Sequence, residues 1–357
     1  MLKTECWKVD PARPDPGVIE RAGLILRRGG LVAFPTETVY GLGASALDAR
    51  AVRAIYEAKG RPADNPLIVH VARAADLDKL VDKVPETARA LAREFWPGPL
   101  TLVLAGGRGL PGEISAGLGT VAVRVPAHPV ALALIAAARA PVAAPSANLS
   151  GRPSPTTAGH VLTDLGGRIP LVLDGGPAGM GLESTVLDLS GPHPVVLRPG
   201  GVTPARLERV IGPVLVDPGA LGLPEEGAGD RESEPPRSPG MKYTHYAPAA
   251  PLVLVEGEQA AVAGRIRQLA GEYLERGLRV GILACAETAG VYETGPVLVA
   301  GSRRDPAAVA SALYRLLREF DGLSVDVILA EGIEPGGLGL AVMNRLRRAA
   351  GGRVIRV

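Results

Sequence analysis

Hydrophobic positions in this chain fall into short runs broken by polar and glycine-rich stretches. LVAF (31–34), PLIVHV (66–71), LTLVL (100–104), TVAVRV (120–125), PVAAP (141–145), LVLD (171–174), TVLDL (185–189) and VVLR (195–198) are too short for helices and read as strands. A period near 3.6 appears instead over 49–59, where Val52, Ile55 and Tyr56 share a face, and over 86–94 and 129–138. The alternation predicts an α/β domain ending near Gly212. Over 217–240 the period vanishes: the stretch is rich in Gly and Pro and carries six acidic residues against two basic, which predicts a linker or mobile loop. It runs into MKYTHYAP (241–248), where two tyrosines crowd a lysine and a histidine. After Pro251 strands and helices alternate again, with helices expected over 260–276, 306–320 and 339–350, so right-handed β-α-β crossovers and a small parallel sheet are expected. The divisions are 1–212, 213–250 and 251–357.

Composition narrows the class. With 357 residues, two domains are expected. Only 3% are aromatic, so the core is built from Val, Leu, Ile and Ala. Cys6 and Cys285 belong to no CxxC or Cys/His run, which argues against a disulfide framework or a zinc site. No secretory leader pattern and no run long enough to span a bilayer is found, so a cytoplasmic protein is expected. A net charge of +2 excludes nucleic-acid binding by bulk electrostatics, though not by a local patch. There is no GxxxxGK[ST], GxGxxG after a strand, HExxH or GxSxG, so a bound nucleotide must be held by side chains.

Candidate chemistry sits where elements end. Asp48 is the expected N-cap of helix 49–59 and Gly60 its left-handed terminator, which puts Lys59 and Arg61 at a helix C-terminus. There they complement the helix dipole or form an anion site. In strand 120–125, alternation sends Val121, Val123 and Val125 to one face and Thr120, Ala122 and Arg124 to the other. Arg124 then either pairs with a buried carboxylate or offers its fork to a ligand. His70 shares a face with Ile68, and Asn65 precedes Pro66 in a turn. Ser146 and Asn148 leave a strand C-terminus in one direction, at the edge where open α/β sheets bind ligands. Thr36, Thr38, Ser184 and Arg198 complete the set, with no carboxylate pair and no nucleophile beside a base. Catalysis by positioning and charge stabilisation is expected.

Taken together, PTETVYGLG (35–43), KGRP (59–62), NPLIVH (65–70), WPGPLT (96–101), VAVRVP (121–126), APSANLSG (144–151), STV (184–186), LRPG (197–200) and KYTHYAP (242–248) resemble the YrdC family of L-threonylcarbamoyladenylate synthases, in its longer Sua-type branch. The resemblance implies a twisted mixed open sheet with flanking helices, joined by a lid-like linker to a smaller Rossmann-like α/β domain. It implies a nucleotidyltransferase that joins L-threonine, bicarbonate and ATP into threonylcarbamoyl-AMP and pyrophosphate, the first step toward N6-threonylcarbamoyladenosine in tRNA. Thr38, His70, Arg124, Ser146 and Ser184 would hold threonine. Arg61, Asn65, Thr120, Asn148, Thr156 and Arg198 would hold ATP, with Mg2+ on its phosphates. Lys59 and Arg61 would offset charge during transfer. Tyr243 or Tyr246 would reach the nucleotide from the lid, and the product would pass to a tRNA threonylcarbamoyltransferase complex, with weak tRNA contact and no membrane. An RNA-binding module of the same fold is the rival reading. A carbamoyltransferase accessory domain is a weaker one, because the acylphosphatase and zinc-finger segments of such chains have no counterpart here.

Overall fold

A computed structural model describes residues 2–222 and 246–357. In chain order the first domain's strands are β1 (Glu5–Lys8), β2 (Val32–Phe34), β3 (Gly41–Ser45), β4 (Ile68–His70), β5 (Leu100–Ala105), β6 (Thr120–Arg124), β7 (Val142–Ala143), β8 (Leu171–Asp174), β9 (Thr185–Asp188), β10 (Val195–Arg198) and β11 (Leu215–Val216). Among the described residues they form one mixed sheet in the order β1-β8-β2-β3-β7-β4-β6-β5-β9-β10-β11. One face carries the main apolar core, with Val52, Ile55, Val69, Leu91, Val121 and Val123 among its members. Helices Pro16–Arg27 and Pro129–Ala138 cover part of the other face through Ile19, Leu26, Val130 and Leu134.

The predicted alternation in β6 holds: Val121, Val123 and Val125 join the main core, while Ala122 packs with Ile68, Val103, Val186 and Leu197 on the opposite face. Because β4 and β6 run parallel with His70 opposite Arg124, those two polar side chains are neighbours at the strand ends. Helix Ala49–Lys59 has the predicted termini. The Asp48 side chain accepts from the backbone N–H groups of Arg50 and Ala51, and Gly60 sits at φ 59°, ψ 37°.

The second domain is a parallel sheet of β12 (Leu252–Glu256), β13 (Val280–Ala284), β14 (Val297–Val299), β15 (Val327–Glu331) and β16 (Val354–Arg356), in the order β14-β13-β15-β12-β16. Helix Gln259–Glu275 packs on one face, and helices Pro306–Gly322 and Gly339–Ala350 on the other. The latter pair also meets the first domain, whose Val39 and Leu182 belong to the same apolar cluster as Leu313, Leu317 and Leu346. At Gly181 (φ +77°) a Cβ would lie 2.6 Å from the Ala310 carbonyl oxygen, so the two domains approach closer than a side chain allows.

One expectation needs correction. Pro218–Leu221, inside the stretch expected to be a linker or mobile loop, forms a short 3-10 helix whose first turn is capped by the Asp217 side chain. Its carbonyls are held by the last helix: Asn344 donates to Ala220, Arg347 to Leu221 and Arg348 to Gly219. Those side-chain donors substitute for the apolar period that the sequence lacks here. The rest of the linker through His245, Tyr243 included, lies outside the described residues.

Candidate active site

The carboxyl ends of β4 and β6, the turn after β2, and the loops that follow β7 and precede β9 converge on one cleft. Thr38, Lys59, Arg61, His70 and Arg124 line it. So do Ser146, Asn148, Ser184, Arg198 and Tyr246. With Thr36, eleven of the residues singled out in the sequence share one cavity. Asn65 lies just behind Arg61, which donates to its carbonyl oxygen at 3.3 Å. Thr120 instead lies at the far end of β6 and borders a separate groove with Gly106 and Gly119. Thr156 faces His160, whose Nδ1 is 3.4 Å from its hydroxyl.

Arg124 is 4% exposed and combines its two readings: it is ion-paired to a half-buried carboxylate, yet its Nη2 has no hydrogen-bond partner among the described residues. Its Nη2 is 2.6 Å from the Glu37 carboxylate, Nε donates to the Gly98 carbonyl at 3.1 Å, and Nη1 donates to the Thr38 hydroxyl at 3.0 Å. The guanidinium is therefore oriented from behind while its neighbourhood stays open to the cleft. The hydroxyls of Thr38 and Thr36 are 2.8 Å apart, and Thr36 accepts from the backbone N–H groups of Thr38 and Val39 in a tight turn. Burial, with the adjacent Arg124 charge added, drives the His70 pKa down to about 3. His70 is a neutral imidazole at physiological pH and can donate or accept without adding charge.

The second group is cationic. Lys59 is buried and donates from Nζ to the carbonyls of Ser146 and Asn148. It thus ties the helix end to the loop after β7 rather than projecting into water. Burial, then repulsion from Arg61, pulls its pKa well below the ordinary lysine range. Arg61 is also lowered, to about 10, chiefly by burial, which leaves it charged near neutrality. Its Nε and both side-chain polar atoms of Asn65 are buried without a hydrogen-bond partner among the described residues. Buried orphan donors and acceptors are costly, and a cluster of them in a cleft points to a ligand. Arg198 donates to the Ser184 carbonyl at 3.1 Å and to its hydroxyl at 3.2 Å, and Ser184 also bonds Thr101 at 2.7 Å.

The sequence reading missed Glu37 and Glu183, although each lies inside a quoted or adjacent motif. Glu183 lines the cleft and is clasped by Ser154, by Tyr314 at 2.9 Å and by Arg345 at 2.9 Å. Burial pushes its pKa up, but Arg345, Arg198 and the Ser154 hydroxyl outweigh that and hold it below the usual carboxylate range. Arg345 and Tyr314 come from the second domain. The available signal was a charge on the buried stripe Ala341, Arg345, Ala349 of an amphipathic helix.

Comparison with known proteins accounts for the whole length. Residues 24–200 match the Sua5_yciO_yrdC family model, described as telomere recombination, and residues 202–351 match the threonylcarbamoyl-AMP synthase C-terminal domain. A threonylcarbamoyl-AMP synthase of Bacillus subtilis is 52% identical over 99% of this chain and 100% of its own. One from Pyrococcus abyssi is 49% identical over 99% and 97%. A crystal structure of Pyrococcus abyssi Sua5 complexed with L-threonine superposes with a TM-score of 0.91 at 48% identity, covering 99% of this chain and all of that one. With the two-domain architecture, the cleft and these relatives in agreement from end to end, this chain belongs to the Sua5 branch of the Sua5/YciO/YrdC family.

Proposed function

We propose that the chain is a threonylcarbamoyl-AMP synthase acting as a nucleotidyltransferase: L-threonine, bicarbonate and ATP become L-threonylcarbamoyladenylate, pyrophosphate and water. The observation that carries this reading is the pairing, in one buried cleft, of an oriented guanidinium among hydroxyls and a neutral imidazole with a group of cations beside orphaned polar atoms. The first set suits an amino acid, the second a triphosphate.

Arg124 meets the threonine carboxylate, and Thr38, Ser146 and Ser184 offer hydroxyls to its polar groups. His70, neutral, accepts a hydrogen bond without repelling an amine. The free amine attacks bicarbonate to give a carbamate and water; a carbamate oxygen then attacks the α-phosphorus, and the bond to pyrophosphate breaks. Negative charge grows on the departing phosphates, where Arg61, Lys59 and Arg198 stabilise it. Asn65 and Asn148 complete the nucleotide contacts. Thr120, on a separate groove at the far end of β6, and Thr156, outside the cleft lining, take no part in these contacts. Tyr246 closes the cleft, which matters because carbamates lose CO2 and mixed anhydrides hydrolyse in water.

No group of three or more His, Cys, Asp or Glu side chains suited to a metal ion occurs among the described residues, and Glu37 and Glu183 are ion-paired to arginines. A Mg2+ ion supplied with ATP would be held by the nucleotide's phosphates, where it would offset their charge beside Arg61 and Arg198. The reaction belongs in the cytoplasm, with hand-over to a threonylcarbamoyl-transferring partner that modifies tRNA. Pyrophosphate release tests the reading. It should require threonine and bicarbonate together, and release that ignores either one refutes it.

A further inference from the structure

We infer that Arg345, on the last helix of the second domain, is a positioning residue of the active site, so that this domain forms a wall of the cleft. The inference rests on the synthase reading above. Arg345 is 0% exposed and the largest fully buried side chain among the described residues. It occupies a helix position where the apolar stripe calls for alanine, and a buried charge is tolerated only when closely paired. Its pairing is with the cleft. Nε donates to the Glu183 carboxylate at 2.9 Å and Nη1 to the Pro199 carbonyl at 2.8 Å. Glu183 adjoins Ser184 and Pro199 adjoins Arg198, so one guanidinium fixes both chain segments that carry those groups.

The same guanidinium lies 5.5 Å from the centre of the Tyr246 ring, within cation–π range. Tyr246 stacks at 5.3 Å on Tyr314, whose hydroxyl donates to Glu183. Tyr246 itself holds φ +67°, a conformation that costs a bulky residue about 1–3 kcal/mol and persists only when its surroundings impose it. Arg345, Tyr314 and the Ala247 N–H, which donates to Gly151, are those surroundings. Mere attachment of the domains does not require Arg345 to reach the cleft, since Arg318 already bridges to the buried Asp164 at 2.7 Å.

The test uses the full-length protein and two variants, R345K and Y314F. Lysine keeps the charge but has no fork to span Glu183 and Pro199; phenylalanine keeps the ring stack and loses one bond to Glu183. At a temperature where circular dichroism shows each variant folded, R345K should raise the KM for ATP about tenfold, the scale of one charge-assisted hydrogen bond. It should also raise the AMP formed per threonylcarbamoyl-AMP. Y314F should shift both in the same direction by less, and it decides the matter if R345K does not fold. Lower melting temperatures with an unchanged KM and an unchanged AMP-to-product ratio would make Arg345 purely structural and overturn the inference. A wild-type protein that makes no threonylcarbamoyl-AMP defeats the synthase reading instead. In that event calorimetric ATP affinity decides: weaker in Y314F supports the positioning role, equal refutes it.

Discussion

Replacing Arg124 by lysine separates a ligand-binding guanidinium from one that only satisfies its own protein. Arg124 donates from Nε to Gly98 and from Nη1 to Thr38, while Nη2 faces Glu37 as an ion pair without a hydrogen bond and keeps its N–H for a ligand. A lysine ammonium reaches toward one of these partners and cannot present a planar pair of N–H groups to a carboxylate. Losing one charge-assisted hydrogen bond to threonine costs about 1.5–3 kcal/mol, which is roughly 10- to 150-fold in its dissociation constant. Arg124→Ala is a poorer probe, because it strands the Glu37 carboxylate, only 19% exposed, and breaking such a pair costs about 3–5 kcal/mol of stability. Pairing Arg124→Ala with Glu37→Gln removes that penalty and isolates the loss of binding. Threonine affinity by isothermal titration calorimetry, with a melting curve on each protein, is the assay. If folded R124K binds threonine as tightly as the wild type, the carboxylate is held elsewhere and the role given to Arg124 is wrong.

Further outcomes follow from the same geometry. His70 titrates near ~6.5 when unfolded and at about 3 when folded, so between these values the unfolded chain holds the extra proton and stability rises with pH; moving from pH 7 to pH 5 should remove about 2 kcal/mol, and His70→Asn should lessen that slope in urea titrations. A Cβ on Gly200 would lie 2.3 Å from the Thr185 nitrogen and 2.5 Å from the Ser184 carbonyl carbon, so Gly200→Ala should lower the urea midpoint by an amount equivalent to about 1–3 kcal/mol and weaken threonine binding with it. Tyr246→Ala should raise AMP leakage or slow turnover; unchanged product formation would remove the lid role.

Much of the fold was legible because strand and helix periods here agree with burial. Strands 171–174 and 195–198 and helices 49–59, 129–138 and 339–350 fall where the pattern puts them. Gly41–Ser45 escaped because GLGAS is too small and glycine-rich to register as a strand, yet those glycines admit Phe34, whose ring carbon would lie 2.8 Å from a Cβ on Gly43. Helix Ala158–Leu165 and helix Pro204–Ile211 are short, and their apolar faces are narrow. The cleft was legible as a set of polar groups at element ends, since strand alternation places His70 and Arg124 together. Its second layer was not. Pairing of Arg124 with Glu37, or of Glu183 with Arg345 across 162 positions of chain, leaves no periodic trace in sequence.

The most direct measurement incubates the purified protein with ATP, Mg2+, threonine and carbon-13 bicarbonate and resolves the products by mass. The account predicts an adenylate carrying threonine and one heavy carbon, with one pyrophosphate for each molecule formed. Threonyl-AMP without the heavy carbon, or AMP alone under every condition, would contradict it.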